Sequence, residues 1–206
     1  MQGLSRRLNI LGSCTLALTA SALAVCLPVA AAPVIVVLDT ELGEIQLSLD
    51  ADRAPLTTAN FLRYLDAGLF VGASFYRAVH EGNQPDAAVR IAVIQGGLGD
   101  AREAEALAPI RMEGTAETGL LHLDGTISMA RLGPDTARGE FFICVGDQPE
   151  LDEGGHRNSD GFGFAAFGRV MSGMSVVDAI HRSPVEQQLL TPAIEIHGAR
   201  RQAQPE

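Results

Sequence analysis

The sequence predicts a mainly β domain, an antiparallel barrel or sandwich carrying two helices. Residues 44–49 alternate strictly, with Ile45, Leu47 and Leu49 set against Glu44, Gln46 and Ser48, the period-two pattern of a half-buried strand. The strand-like runs are separated by turn clusters such as "RLGPDTARG" and "DEGGHRNSDG" instead of helices long enough for parallel crossovers. The chain also has 22 glycines, which suit turns and close backbone approaches better than long helices. Together these exclude a doubly wound parallel sheet.

Taken in order, "PVIVVLDTELGEIQLSLD" gives two strands around a turn at Gly43. "DRAPLTTANFLRYLDAGLF" gives a helix of about three turns, with Pro55 in the first turn and Gly68 at the end. Its expected apolar stripe is Leu56, Ala59, Leu62 and Leu65. Strands follow in "SFYRAV", "VRIAVIQGG", "DGTISMAR", "GEFFICVG" and "GFAAFGRV". A second, shorter helix fits "GMSVVDAIHRS", with Val176, Val177 and Ile180 on one face and Pro184 beyond its end. In the last strand, "PAIEIHGARRQ", Ile194 and Ile196 oppose Glu195 and His197. The total is about eight strands and two helices, with no internal repeat.

Hydrophobic content of 47% and charged content of 19% describe a globular chain, and 206 residues suffice for one domain. The first 32 residues stand apart. Arg6 and Arg7 precede an apolar run from Leu8 to Ala24 and the small residues of "PVAAAP", the order of a secretory signal peptide cleaved after Ala31 or Ala32. An uncleaved anchor is the alternative, because Leu8–Ala32 carries no charge and is long enough to span a bilayer. Lipoprotein cleavage matches poorly at Cys26 and better at Cys14, which leaves almost no apolar core before it, and "SRRLNI" touches the twin-arginine pattern. The domain reading is therefore a leader at 1–32, one domain at 33–200 and a flexible, solvated tail at 201–206, with export to the periplasm. Removing the leader takes two arginines and no acid, so the formal charge moves from −10 to −12. That charge excludes nucleic acid as a partner. Without the leader only Cys144 remains, so no internal disulfide is available, and its apolar run "FFICV" marks a buried, inert thiol.

Several catalytic patterns fail. "GFGFAA" has dinucleotide-type glycine spacing but leads into a strand, where pyrophosphate needs a helix N-terminus. Asp152, Glu153, His156 and Asp160 match no calcium or zinc spacing. No Ser-His-Asp set stands out, and His80, His122, His181 and His197 read as surface or satisfied core residues. Neither metal nor cofactor is expected.

One question remains in "SFYRAV", where Arg77 sits among residues that favour burial. The ordered segments "SFYRAV", "VIQGG", "ISMAR", "GPDTARGEFFICV", "LD" and "FAAFGRV" resemble the cyclophilin family of peptidyl-prolyl isomerases over about 33–200. The resemblance implies a closed eight-stranded antiparallel barrel capped by two α-helices, isomerisation of X-Pro bonds in proline-containing polypeptides, a monomer and no cofactor. It implies that Arg77 points from the barrel wall into the substrate groove and that Gln95 holds it. Phe142 floors the proline pocket and Leu151 walls it. Ala130 and Arg131 line the peptide through backbone groups.

The departures from the family pattern are specific. Ala92 and Val93 stand where Phe-Met is common, Glu140 replaces a glutamine, Glu150 the pocket Trp and Phe164 a His, and "EGGHRNSDGFG" is inserted. Phe164 is expected to refill the apolar space left by Ala92. Losing the Trp implies weak cyclosporin binding. Glu140 and Glu150 are expected on the groove rim, favouring basic peptides. The alternative function is a peptide-binding or chaperone-like module with a weakened isomerase site.

Overall fold

The computed structural model describes residues 33–202. The expected leader and the last four residues of the expected tail lie outside them. Strands β1 (Val34–Thr40) and β2 (Gly43–Leu49) form the first hairpin, followed by helix α1 (Pro55–Asp66). Next come β3 (Ala73–Val79), β4 (Val93–Gly97), the short helix α2 (Thr115–Thr118), β5 (Thr126–Met129) and β6 (Phe141–Cys144). The chain ends with β7 (Ala165–Ser172), α3 (Met174–His181), the two-residue β8 (Val185–Glu186) and the long β9 (Leu189–Arg201).

Around the sheet the order is β1-β2-β7-β5-β6-β4-β3-β9, and β9 pairs back onto β1. Every one of these pairings is antiparallel, so eight strands close a barrel and leave no free edge. β8 is an extra arm, paired only with the start of β9. Among the described residues, no helix is long and apolar enough to cross a membrane.

The barrel interior is filled by Val36, Leu38, Ile45, Leu47, Phe75, Ile94, Ile127, Phe141, Ile143 and Phe167, among others. Its centre is aromatic, since Phe61 of α1 lies 4.8 Å from Phe70 and 5.4 Å from both Phe141 and Phe167, ring centre to ring centre. This explains why the expected stripe on α1 is rotated. The helix buries Phe61, Leu62, Tyr64 and Leu65 together with Thr57, Thr58 and Asn60, whereas Leu56 is exposed and so is Ala59. Large rings beside the barrel mouth outweigh the smaller Leu56 and Ala59 in choosing the buried face. The N-terminus of α1 has no side-chain cap of its own. Instead the carboxylate of the distant, buried Glu113 accepts from the amides of Leu56 and Thr57 and from the Thr57 hydroxyl, satisfying donors that the helix leaves unpaired.

β9 continues to Arg201, one residue into the expected tail. Arg200 pairs with Glu44 and Arg201 with Asp66, both within the closing seam of the sheet or beside it.

Phe61→Ala would leave a void among three aromatic rings that cannot all collapse into it. The expected loss is about 3–5 kcal/mol of folding free energy, read as a lower denaturant midpoint at unchanged slope.

Candidate active site

Strand alternation carries the groove residues of β4 and β6 to the outer face of the barrel wall. On β6, Phe141 and Ile143 point into the core, so Phe142 and Cys144 point out. On β4, Ile94 points in, so Val93 and Gln95 point out. These outward side chains form a second apolar cluster of Val79, Ile91, Val93, Phe142, Cys144 and Leu151, with Ala130 and Phe164 packed against it. Phe142, Leu151, Ala130 and Phe164 therefore come together. Phe164 meets Phe142 edge to face at 5.2 Å.

On β3 simple alternation would fail, because Phe75 and Ala78 both belong to the core. The register shifts between Phe75 and Arg77 in the pairings with both β4 and β9. This bulge at Tyr76 resets the phase, so Arg77 joins Val79 on the outer face. Gly96 opposes Phe75 there, and a Cβ at Gly96 would come within 2.8 Å of the Ser74 carbonyl and 2.9 Å of the Phe75 ring.

Arg77 is held from two sides. Its Nη1 donates to Gln95 Oε1 at 2.8 Å, while Nε and Nη2 donate to Gln188 Oε1 at 3.0 and 2.5 Å. Gln188 lies between β8 and β9 and donates in turn to the Asn83 carbonyl. A guanidinium has five N–H donors, so one hydrogen on each terminal nitrogen is left for a ligand. Burial, with the nearby charge of Arg157, holds the Arg77 pKa below the usual arginine range. Gln188 had no signal in the sequence, because its role depends on a hairpin arm more than a hundred residues away folding back onto β3.

Glu140 is not on the groove rim. Its carboxylate accepts from the Tyr76 hydroxyl at 2.6 Å and from the Gly99 amide at 3.1 Å. It occupies space that Gly97 leaves, since a Cβ there would come within 2.5 Å of Glu140 Oε2. The Tyr76 hydroxyl also accepts from Gln95 Nε2 at 2.8 Å. The polarity of this chain is forced. An ionised carboxylate only accepts, so Tyr76 donates to it and takes the Gln95 amide hydrogen on its own oxygen. That turns the Gln95 carbonyl toward Arg77. Burial raises the Glu140 pKa against the lowering effect of these hydrogen bonds, and burial together with Glu140 raises that of Tyr76.

Glu150 is also engaged, through Oε2, with the amide and ring nitrogen of His156 in the inserted loop. The side chain of Arg131, which the sequence left without a role, is engaged. Its guanidinium takes the Gly163 carbonyl, forks onto Asp160 and lies 5.2 Å over the Phe164 ring. This contact holds the Asp160 carboxyl down at about 2 and pins the inserted loop against the pocket. With Glu140 tied behind Tyr76 and Glu150 tied to the loop, the rim is not the pair of free carboxylates that the sequence suggested.

Beneath Phe142, His122 stacks on the ring at 5.8 Å, with Nδ1 2.7 Å from Asp152 Oδ1 and Nε2 2.9 Å from Ser128 Oγ. This is a Ser-His-Asp arrangement that the sequence did not reveal. Ser128 is fully buried, so its hydroxyl cannot reach a substrate, and the array supports the pocket floor. Cys144 is buried and burial raises its pKa, in keeping with an inert thiol. Among the described residues, Glu41, Glu195 and His197 have the composition of a metal site, but all three are exposed beside the β1–β2 turn.

The sequence model for "Cyclophilin type peptidyl-prolyl cis-trans isomerase/CLD" matches residues 35–201. Peptidyl-prolyl cis-trans isomerase A of Dickeya dadantii is 36% identical over 154 residues, covering 73% of each chain. A Streptomyces antibioticus peptidyl-prolyl cis-trans isomerase is 38% identical over 146 residues, 69% of this chain and 80% of its own. Among solved structures, a Cryptosporidium parvum cyclophilin-type isomerase superposes with a TM-score of 0.67 at 20% identity, covering 84% of this chain and 99% of that one. A second structure of the same parasite protein was determined in the presence of the dipeptide Ala-Pro, and superposes with a TM-score of 0.65. Barrel, groove and relatives agree: the chain belongs to the cyclophilin-type peptidyl-prolyl cis-trans isomerase family.

Proposed function

We propose that the isomerase activity of this chain resides in the groove between Arg77 and Phe142, acting on X-Pro bonds of proline-containing polypeptides. The carrying observation is the Arg77 guanidinium, clamped by Gln95 and Gln188 with an N–H to spare on each terminal nitrogen. Rotation about an X-Pro bond is slow because nitrogen shares its lone pair with the carbonyl. In the twisted transition state that lone pair localises on nitrogen and becomes a hydrogen-bond acceptor. A guanidinium N–H directed at it binds the transition state more strongly than either planar ground state, which is what acceleration requires. The apolar patch of Phe142, Leu151 and Phe164 takes the proline ring, and Ala130 and Arg131 border the peptide. Proton transfer, a nucleophile or a metal has no part in this scheme. The rival role, peptide binding without catalysis, fits less well with an arginine held this firmly in the groove.

The leader reading also belongs to this proposal. Arg6 and Arg7, the apolar run and the small residues before Pro33 support export to the periplasm of a monomeric folding catalyst. Mass spectrometry of the chain recovered from a periplasmic fraction should give a mature start at Ala32 or Pro33. An intact Met1 in the membrane fraction would show an anchor instead.

Arg77→Ala should lower kcat/KM at least about 100-fold in an NMR exchange assay on an Ala-Pro peptide, about 2.7 kcal/mol of transition-state stabilisation. Gln95 and Gln188 can turn to water, so the unfolding midpoint should move little. A collapsed fold would make Arg77 structural.

Glu140 gives the pH profile a sign. Its folded pKa is raised, so protonation begins at a higher pH than for an ordinary carboxylate. Once neutral, the carboxyl can itself donate, and Tyr76 is no longer compelled to fix the Gln95 amide. Activity should therefore fall on the acid side in the native chain. In Glu140→Gln that acid limb should be absent, and Tyr76→Phe should reduce kcat more than it raises KM.

A further inference from the structure

A cleft of about 950 Å³ opens beside Arg77, lined by Arg77, Arg157, Asn83, Gln84 and Gln188 among others. Arg157 comes from the inserted loop. Its Nη1 donates to the Val89 carbonyl at 2.7 Å and to Gln84 Oε1 at 3.2 Å, both neutral acceptors. These bonds orient the guanidinium and leave its Nε/Nη2 edge without a protein acceptor among the described residues. That edge carries two parallel N–H groups, the geometry that matches a carboxylate. Arg77 likewise bonds only to neutral glutamine oxygens.

Most of the other described arginines behave differently, Arg63 and Arg169 excepted. Arg53, Arg102, Arg111, Arg131, Arg138 and Arg201 each meet a carboxylate. In a chain of formal charge −10, two guanidiniums facing one cleft with no ion-pair partner are conspicuous. They are close enough that the charge of Arg157 lowers the pKa of Arg77, and burial lowers that of Arg157 itself. The one acid lining the cleft is Asp86, which is exposed and makes no ion pair among the described residues, so the lining carries a net positive charge. Like charges sharing a partly desolvated cleft are relieved when an anion enters between them.

We propose that this cleft is a substrate subsite for a carboxylate, taking an Asp or Glu side chain near the isomerised proline on the Nε/Nη2 edge of Arg157. The subsite rests on the reading of Arg77 as the catalytic arginine. It reverses the preference for basic peptides that Glu140 and Glu150 suggested in the sequence.

The test is a series of otherwise identical Ala-Pro peptides carrying Glu, Gln or Lys at each position within two residues of the proline. Exchange rates and dissociation constants are measured by NMR at low and high salt. At one position or more, Glu should exceed Gln in kcat/KM by roughly three- to tenfold at low salt, with Lys below Gln and the differences shrinking as salt rises. In Arg157→Gln the Glu-to-Gln ratio should fall to near one. Arg157→Lys, which keeps the charge but not the fork, should retain only the salt-sensitive part. Equal values for Glu and Gln at every position of the native chain would overturn the subsite, as would a Glu preference that survives Arg157→Gln. If Arg157→Gln does not fold, the native series and Arg157→Lys still decide. Failure to accelerate even the Gln peptides would overturn the catalytic reading instead, and the dissociation constants would then judge the subsite separately.

Discussion

A guanidinium on the wall of a closed barrel must face away from the core, and in β3 that orientation depends on the bulge at Tyr76. Phe75 and Ala78 both fill the interior. Without the extra residue between them, period-two alternation would send Arg77 into a dry aromatic core, where an unpaired charge costs several kcal/mol or more. With it, Tyr76 and Arg77 both lie on the groove side and Phe75 keeps its place. The shift occurs against β4 and β9 together, so both neighbouring strands hold the irregularity.

From the bulge, a line of hydrogen bonds runs to Glu140. The carboxylate accepts from Tyr76, Tyr76 accepts from Gln95, and Gln95 offers its carbonyl to Arg77. Charge at one end thus fixes amide orientation at the other, from Glu140 just before β6 through Tyr76 of β3 to Gln95 of β4. Gly97 makes room for the carboxylate, which ties the "QGG" stretch of β4 to the "GEFF" stretch leading into β6. On the far side Gln188 closes the clamp from the β8–β9 arm. Arg77 is consequently preorganised, and little of its binding energy is lost in ordering the side chain.

The apolar side of the groove is assembled differently. Phe142 rests on His122, which Asp152 and Ser128 hold, and Phe164 leans on Phe142 from just beyond the inserted loop. Arg131 fastens that loop through Asp160 and Gly163. The insertion therefore borders the pocket as well as its rim, supplying Arg157 to the neighbouring cleft and the Gly163 and Asp160 contacts of Arg131 immediately before Phe164. The acidic residues that replace polar or aromatic ones in the family pattern are both engaged locally, Glu140 by the Tyr76 hydroxyl and the Gly99 amide and Glu150 by the amide and ring of His156.

Period-two patterning and turn chemistry were enough to determine an antiparallel barrel or sandwich, and the resemblance carried by the order of "SFYRAV", "VIQGG", "ISMAR" and "EFFICV" implied the closed barrel and a site at Arg77, Gln95, Phe142 and Leu151. Those features are local, because alternation and glycine or proline turns act over a few residues, and a long composite motif records one architecture. The buried face of α1 was misread from spacing alone, since which stripe packs depends on the rings that meet it from β6 and β7. The inserted loop was legible as an insertion, but its contacts were not. Gln188, the His122 support, the retreat of Glu140 behind Tyr76 and the unpaired edge of Arg157 all join residues far apart in the chain. Hydrogen-bond polarity and charge compensation are properties of neighbours in space, so only the tertiary structure decided them.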